Sequence, residues 1–527
     1  MRNGDLGELL DYLVVGAGPG GLQLGQWLRE RGHSYRILER DAVAGSFFRT
    51  FPRHRQMISN NKRHTGTDDP ELNLRMDWNS LLSPDPRMLF TRYSARYFPE
   101  ADTMVRYLGD FAEAHELAVS YNTRVSRIAR DTDGFVVTDE AGGQYRARRV
   151  VLATGVSVAN TPAIPGIEHA EQYSTVPTDP EEFVDQRVLI IGKGNSAFET
   201  ADNLIAHAAV IHVVGRSSIR LAWKTHYVGH LRAVNNNFLD TYELKSQNAV
   251  LDGEVLSIER DGDGYLVDVS FARADEVVKR LRYDRVIACT GFRFDASIFE
   301  PDTRPRLMIE DRFAELNPCY ESVNVPGLYF AGTIMQQRDF KKSTTGFIHG
   351  FRYAVRALGH ILDERHHDHP WPRRPLEPTA DALADAVVAR VNRTSALWQM
   401  FGVLGDVLLV PSSGPAHHLE EVPVDYAHES DYGCDYFTVT LEYGPDHDKV
   451  DPFDISVRRA AQNSPDQAID ASYLHPVIRH WHAGQLLDVH HMAENLENEW
   501  DDPRAHRAPL AGFFTRALAS VSVGSGR

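Results

Sequence analysis

A short apolar run, Asp11-Tyr-Leu-Val-Val15, breaks into Gly16-Ala-Gly18-Pro-Gly-Gly21 and resumes as a helical pattern from Leu22 to Arg31. Gly32 stops that helix, and Tyr35-Arg-Ile-Leu-Glu39 reads as a second strand. The same order recurs at Arg187-Val-Leu-Ile-Ile191, Gly192-Lys-Gly194-Asn195-Ser196-Ala197, a helix to about Ala208, and Val210-Ile-His-Val-Val214. Each stretch predicts a strand, a glycine turn, a helix and a strand. Val150 to Leu152, ending in Thr154-Gly155, predicts a strand leaving the first unit. Tyr283 to Cys289, ending in Thr290-Gly291, predicts one leaving the second. Pro326 to Ala331, ending in Gly332-Thr333, leads back to the first, and a helix opens after Gly346-Phe-Ile-His349 and runs to about Leu362.

The second unit is therefore inserted in the first. The expected fold is α/β, with two Rossmann-like dinucleotide-binding domains and a C-terminal α+β region. The expected boundaries are 1–172 and 291–365 for the two parts of the first domain, 173–290 for the insert and 366–527 for the C-terminal region. Residues 363–377 form a polar joint whose His366-His-Asp-His369 reads as a solvated linker. A helix is expected from about Ala380 to Asn392, and Asp435 to Tyr443 alternates as a strand.

The glycine turns carry the chemistry. Glycines permit a tight turn and close approach of a pyrophosphate, and the following helix offers free N–H groups and a positive dipole end. In the first unit Glu39 can accept from ribose hydroxyls. In the second, Arg216 follows the last strand and suits a 2′-phosphate, which favours NADPH. The third glycine there is Ala197, which the pattern allows.

Charge and composition narrow the classes. The formal net charge is −17, so non-specific nucleic-acid binding and docking on an anionic membrane are not expected. The three cysteines, Cys289, Cys319 and Cys434, form no C-x-x-C pair, which disfavours a dithiol centre or a cysteine-rich zinc module. The scattered histidines show no zinc pattern, and no metal is expected. No leader pattern precedes Tyr12, no retention tetrapeptide ends the chain, and the longest apolar stretch, Leu397 to Val410, is too short to span a bilayer. The expectation is a soluble cytoplasmic protein.

These turns and strand ends resemble class B flavoprotein monooxygenases. Longer strings, Phe51 to His64, Gly194 to Asp202, Thr225 to His230, Gly346 to Tyr353, Trp398 to Asp406 and Leu474 to Ile478, resemble the FAD-dependent oxidoreductase domain-containing protein 2 family and its bacterial relatives. The resemblance implies an FAD- and NADPH-dependent monooxygenase that forms a C4a-peroxyflavin and oxygenates a small anionic substrate with O2. The implied reaction is N-hydroxylation of an amino acid such as aspartate, on to the nitroso level in nitrosuccinate-forming relatives. No F-x-G-x-x-x-H-x-x-x-W string precedes the second glycine turn, so ring-expanding ketone chemistry is less expected.

The resemblance implies that Gly16, Gly18, Gly21, Glu39, Arg40, Gly45, Phe48, Thr154, Gly155, Gly332, Thr333 and Gly346 serve FAD. It implies that Gly192, Gly194, Asn195, Ser196 and Arg216 serve NADPH, and that Thr290 is a further cofactor-binding residue. Related enzymes place an Asn-containing segment over the flavin, which here selects Asn61, with Lys62 beside it, as catalytic. The charged run with Arg53, Arg55, Arg63 and His64 has three open readings: recognition of a substrate carboxylate, contact with a cofactor, or exposure to solvent. Lys224, His226 and Arg232 form a second candidate wall for NADPH or an acidic substrate, and His349 either approaches the flavin or caps its helix. Two rivals remain: an NADPH-dependent oxidoreductase or oxidase serving another acceptor, and a non-catalytic flavoprotein scaffold. A homodimer is a further expectation.

Overall fold

The computed structural model describes residues 8–524 apart from 244–247, 431, 433 and 434, so Cys434 lies outside the described residues. The fold is the expected one, two Rossmann-like α/β units and a C-terminal α+β region.

In the first sheet Leu9–Val15 lies between Tyr35–Leu38 and Gln144–Leu152 and is parallel to both. Leu328–Phe330 returns parallel to Gln144–Leu152 on its other side. Leu13, Val14 and Val15 are buried without alternation, as a central parallel strand covered on both faces requires. The helix spans Pro19–Glu30, three residues earlier than its apolar pattern begins, because Gly18 is extended and Pro19 fits the first helical turn. It packs on the helix Ile348–His366. A Cβ on Gly359 would meet the Trp27 ring at 2.6 Å, so glycine sets how closely the two helices approach.

The second sheet repeats this core. Arg187–Ile191 lies between Val210–Gly215 and Arg285–Ala288, again parallel, and Ala249–Asp261 extends it into an antiparallel meander.

The C-terminal region holds more sheet than its sequence suggests: six antiparallel strands, with Leu404–Leu409 near the centre and fully buried. The expected helix is Ala380–Arg393 and the expected strand Asp435–Glu442. The His366–His369 joint is not merely solvated. Tyr329 and Tyr12 hydroxyls meet His366 and His367 Nε2 at 2.9 and 2.8 Å, which pins the joint to the first sheet.

Three buried arginines brace the segment 70–80: Arg75 and Arg390 tie it to the C-terminal region, and Arg352 ties it to the helix Ile348–His366. Arg75 donates to the carbonyls of Thr394 and Val391, both at 3.0 Å. Arg352 donates to Asp77, Ser80 and Leu74 carbonyls at 2.9, 2.9 and 2.8 Å. Arg390 meets Asp406 and Glu421 at 2.9 Å and Glu71 at 3.3 Å. A buried guanidinium is tolerated only when its fork is matched, and these matches hold the loop that carries Trp78.

Candidate functional site

The glycines of the first turn separate into two kinds. A Cβ on Gly16, at φ +105°, would meet Ala153 O at 2.8 Å; one on Gly20 would meet Gly332 Cα at 2.6 Å; one on Gly21 would overlap Gly16 O. Backbone packing demands those glycines. At Gly18 nothing lies nearer than Ala153 O at 3.9 Å. The second turn repeats the division: Gly192, at φ +126°, is crowded by Cys289 O, whereas Gly194 has nothing within 4 Å. Gly18 and Gly194 therefore leave space at the two helix N-termini that a pyrophosphate fits.

Glu39 is buried at the end of its strand, where Oε2 accepts from Ala17 N at 2.7 Å and Oε1 from Asp41 N at 3.0 Å. It thus ties the strand end to the glycine turn while lining the same cavity as Gly16 and Gly18. That cavity, about 490 Å³, also receives Asn195 and Ser196 from the second turn. Its walls are aromatic, with Phe48, Phe51, Trp78, Phe292, Phe347 and Phe351. Such walls exclude water and suit a flat ring.

Two polar side chains on these walls have unusual environments. Glu199 lies in the helix Asn195–Leu204 and is 8% exposed. The Tyr173 hydroxyl donates to its Oε1, and burial pushes its pKa up to about 7. His349 is the second residue of the helix Ile348–His366 and is stacked on Trp78 with ring centres 4.4 Å apart. Burial, with Arg352 and Arg232 nearby, drives its pKa well below the usual histidine value, so its imidazole is neutral.

Arg40, Phe48, Thr154, Gly155, Gly332, Thr333 and Gly346 also line the cavity. Gly45 is set by packing, since a Cβ there would strike Leu108. Thr290 Oγ1 donates to Asn160 O at 2.5 Å and braces the strand end. Arg216 is exposed and pairs with Glu254 at 3.4 Å.

The Arg53–His64 run is dispersed. Arg53 Nη2 donates to Val176 O at 2.7 Å, and Arg55 Nη2 donates to Phe48 O and Asp102 Oδ1, both at 2.6 Å. Lys62, Arg63 and His64 are exposed. Asn61 is 1% exposed and donates to the Ser94 and Arg96 carbonyls at 2.8 and 3.0 Å, outside the cavity lining. Its neighbour Asn60 instead accepts from Arg232 Nη2 at 2.9 Å. The supposed second wall also divides: His226 stacks on Tyr443 of the C-terminal region at 4.1 Å, whereas Arg232 lies 5.1 Å over the Trp78 ring. Sequence reasoning missed Trp78, Tyr173 and Glu199. Glu199 stands within the Gly194–Asp202 string, and its helical spacing from Asn195 was the available signal.

Residues 13–332 match the model of the family described as pyridine nucleotide-disulphide oxidoreductase. The FAD-dependent oxidoreductase domain-containing protein 2 of Mus musculus is 39% identical over 567 residues, spanning 96% of this chain and 84% of the mouse protein. Among solved structures, a flavin-containing monooxygenase from Stenotrophomonas maltophilia matches 68% of this chain and 100% of its own, with TM-score 0.52 and 21% identity. The bacillithiol disulfide reductase Bdr from Staphylococcus aureus matches the same shares, with TM-score 0.52 and 18% identity. At such identity these two structures speak for the fold alone. No described helix is long and apolar enough to cross a membrane.

Proposed function

The chain belongs to the pyridine nucleotide-disulphide oxidoreductase family and, within it, to the family of the FAD-dependent oxidoreductase domain-containing protein 2; from that premise we propose that this flavin-dependent oxidoreductase, whose cofactors are FAD and NADPH, is a monooxygenase of a small anionic amine. The observation that carries the reading is one aromatic-walled cavity lined by residues of both glycine turns. The cysteines support it. None pairs with another in sequence, and burial pushes the Cys289 thiol far up, so it is a poor nucleophile. A dithiol relay built on these cysteines is thereby disfavoured, which fits O2 as the acceptor.

FAD, when bound, would supply the redox chemistry between NADPH and O2, with one oxygen atom destined for the substrate and the other for water. The chain binds, orients and keeps the site dry. Gly16, Gly18, Glu39 and Thr333 hold one dinucleotide; Gly192, Gly194, Ser196 and Arg216 hold the other. Asn195 keeps the loop 229–235 seated on the second turn, with Nδ2 donating to His230 O at 2.8 Å and Oδ1 accepting from Arg232 N at 3.0 Å. Glu199 keeps a proton on its carboxyl up to about pH 7, which spares the cavity a negative charge beside an anionic cofactor.

Aspartate is the first substrate to test. Holoenzyme, NADPH and ¹⁸O2 are incubated with aspartate and other amino acids, and products are read by mass spectrometry. One labelled oxygen in an N-hydroxylated product is expected. Peroxide formed in equal amount to NADPH consumed, with no labelled product from any amino acid, would move the assignment to an oxidase or to a reductase of another acceptor.

A further inference from the structure

Arg232 differs from the other buried arginines. Arg75 and Arg390 meet carbonyls or carboxylates, and Arg352 places both terminal nitrogens on carbonyls although its Nε has no partner. Arg232 is half-buried, lies over Trp78, which lines the cavity although Arg232 itself does not, donates to Asn60 Oδ1, and forms no ion pair among the described residues. A cation partly removed from water without an anion is costly to keep. On the same indole, His349 is 1% exposed, lines the cavity, and has no hydrogen-bond partner on either ring nitrogen. Buried polar atoms are nearly always bonded, so two unpartnered nitrogens on a cavity wall mark bonds that a ligand completes. A neutral imidazole offers one donor and one acceptor.

We propose that Arg232, His349 and the face of Trp78 form the substrate subsite of the cavity, and that it takes a small carboxylate bearing a second hydrogen-bonding group, as an amino acid does. Only the identity of the guest as the substrate rests on the monooxygenase reading. Arg232 presents its fork to the carboxylate and His349 binds the second group, while the Trp78 indole, in contact with both, holds the two in place. The burial, with Arg352 and Arg232 nearby, that keeps His349 neutral acts in the same direction on a substrate ammonium, which gives its proton to water as it binds and leaves the nitrogen with a free pair. The Arg53–His64 run contributes none of these contacts.

The test is calorimetric titration of oxidised holoenzyme, FAD bound and NADPH absent, with aspartate, succinate and benzoate, and with succinamide and benzamide as neutral partners. At least one carboxylate is expected to bind, about 10- to 100-fold tighter than its amide. Arg232→Met should lower carboxylate affinity by a similar factor and abolish the preference. Arg232→Lys, which keeps charge but loses the fork, should fall between the two. His349→Phe, which keeps the ring and removes both nitrogens, should weaken aspartate more than benzoate. Failure of all three carboxylates to bind, equal binding of acid and amide, or unchanged affinity in an FAD-replete Arg232→Met enzyme would overturn the proposal. The titration uses neither NADPH nor O2. An absent oxygen label with intact carboxylate binding therefore sinks the monooxygenase reading alone, and the reverse result sinks the subsite alone.

Discussion

Replacing Glu199 with glutamine should flatten part of the pH dependence of stability. Burial raises this carboxyl from 4.5 to about 7. At about 1.4 kcal/mol per pH unit, that gap amounts to about 3 kcal/mol. Between these two values the folded protein keeps the proton and the unfolded chain has lost it. The folded state then binds more protons, so stability falls as pH rises across the window. The deficit is absent below the lower value, where both states are protonated, and complete above the upper one, where both are ionised. Glutamine keeps an acceptor for the Tyr173 hydroxyl and cannot ionise. The assay is urea unfolding of both holoproteins at several pH values from about 4.5 to 8, taking the difference between them. Asp202 and Asp339, raised by burial to about 6 and about 7, titrate in the same range and cancel in that difference. The wild type should lose about 3 kcal/mol relative to Glu199→Gln across the window. A difference constant to within about 0.5 kcal/mol would refute the claim that the carboxyl is held neutral.

Gly18→Ala should fold with nearly unchanged stability yet purify with little FAD, because its new methyl meets no protein atom closer than 3.9 Å and occupies the space at the helix N-terminus. Gly20→Ala should instead lose stability outright, since its Cβ would lie 2.6 Å from Gly332 Cα; flavin content and thermal unfolding of the two variants separate the roles. Arg216→Ala removes an exposed pair with Glu254 and should change stability by less than about 0.5 kcal/mol. It should lower the NADPH-over-NADH ratio of kcat/KM by about 10- to 100-fold, and an unchanged ratio would remove Arg216 from the nucleotide site.

The two glycine turns were legible in the sequence because their cause is local. A strand must end, turn sharply and enter a helix within six residues, and only glycine tolerates Ala153 O against Gly16 or Cys289 O against Gly192. The C-terminal sheet was less legible, since its pairings join strands far apart in sequence and the run Leu397 to Val410 is apolar whether it becomes helix or strand. Ala396–Gln399 and Leu404–Leu409 take one form each.

The polar part of the cavity required the third dimension. In extended chain successive side chains face opposite ways, so a one-residue difference changes which group looks inward. Asn61 N donates to Tyr97 O at 2.8 Å and its side chain turns to Ser94 and Arg96, which leaves Asn60 as the amide beside Arg232. A run of charges in sequence says nothing of this, and Arg53, Arg55 and Lys62 end on carbonyls, on Asp102 or in water. Glu199 and His349 carry the same lesson for protonation. Each is an ordinary residue of a helix until Tyr173 or Trp78, brought from another segment, closes over it and removes it from water. Burial then makes the acid hold its proton and the base refuse one, so both present neutral hydrogen-bonding groups to one cavity near neutral pH. Of the fixed positive charges near the cavity, Arg40 and Arg124 lie on its lining, and Arg232 is the one set over Trp78 beside His349, which is why the proposed preference for acid over amide follows that residue and not the longer basic run.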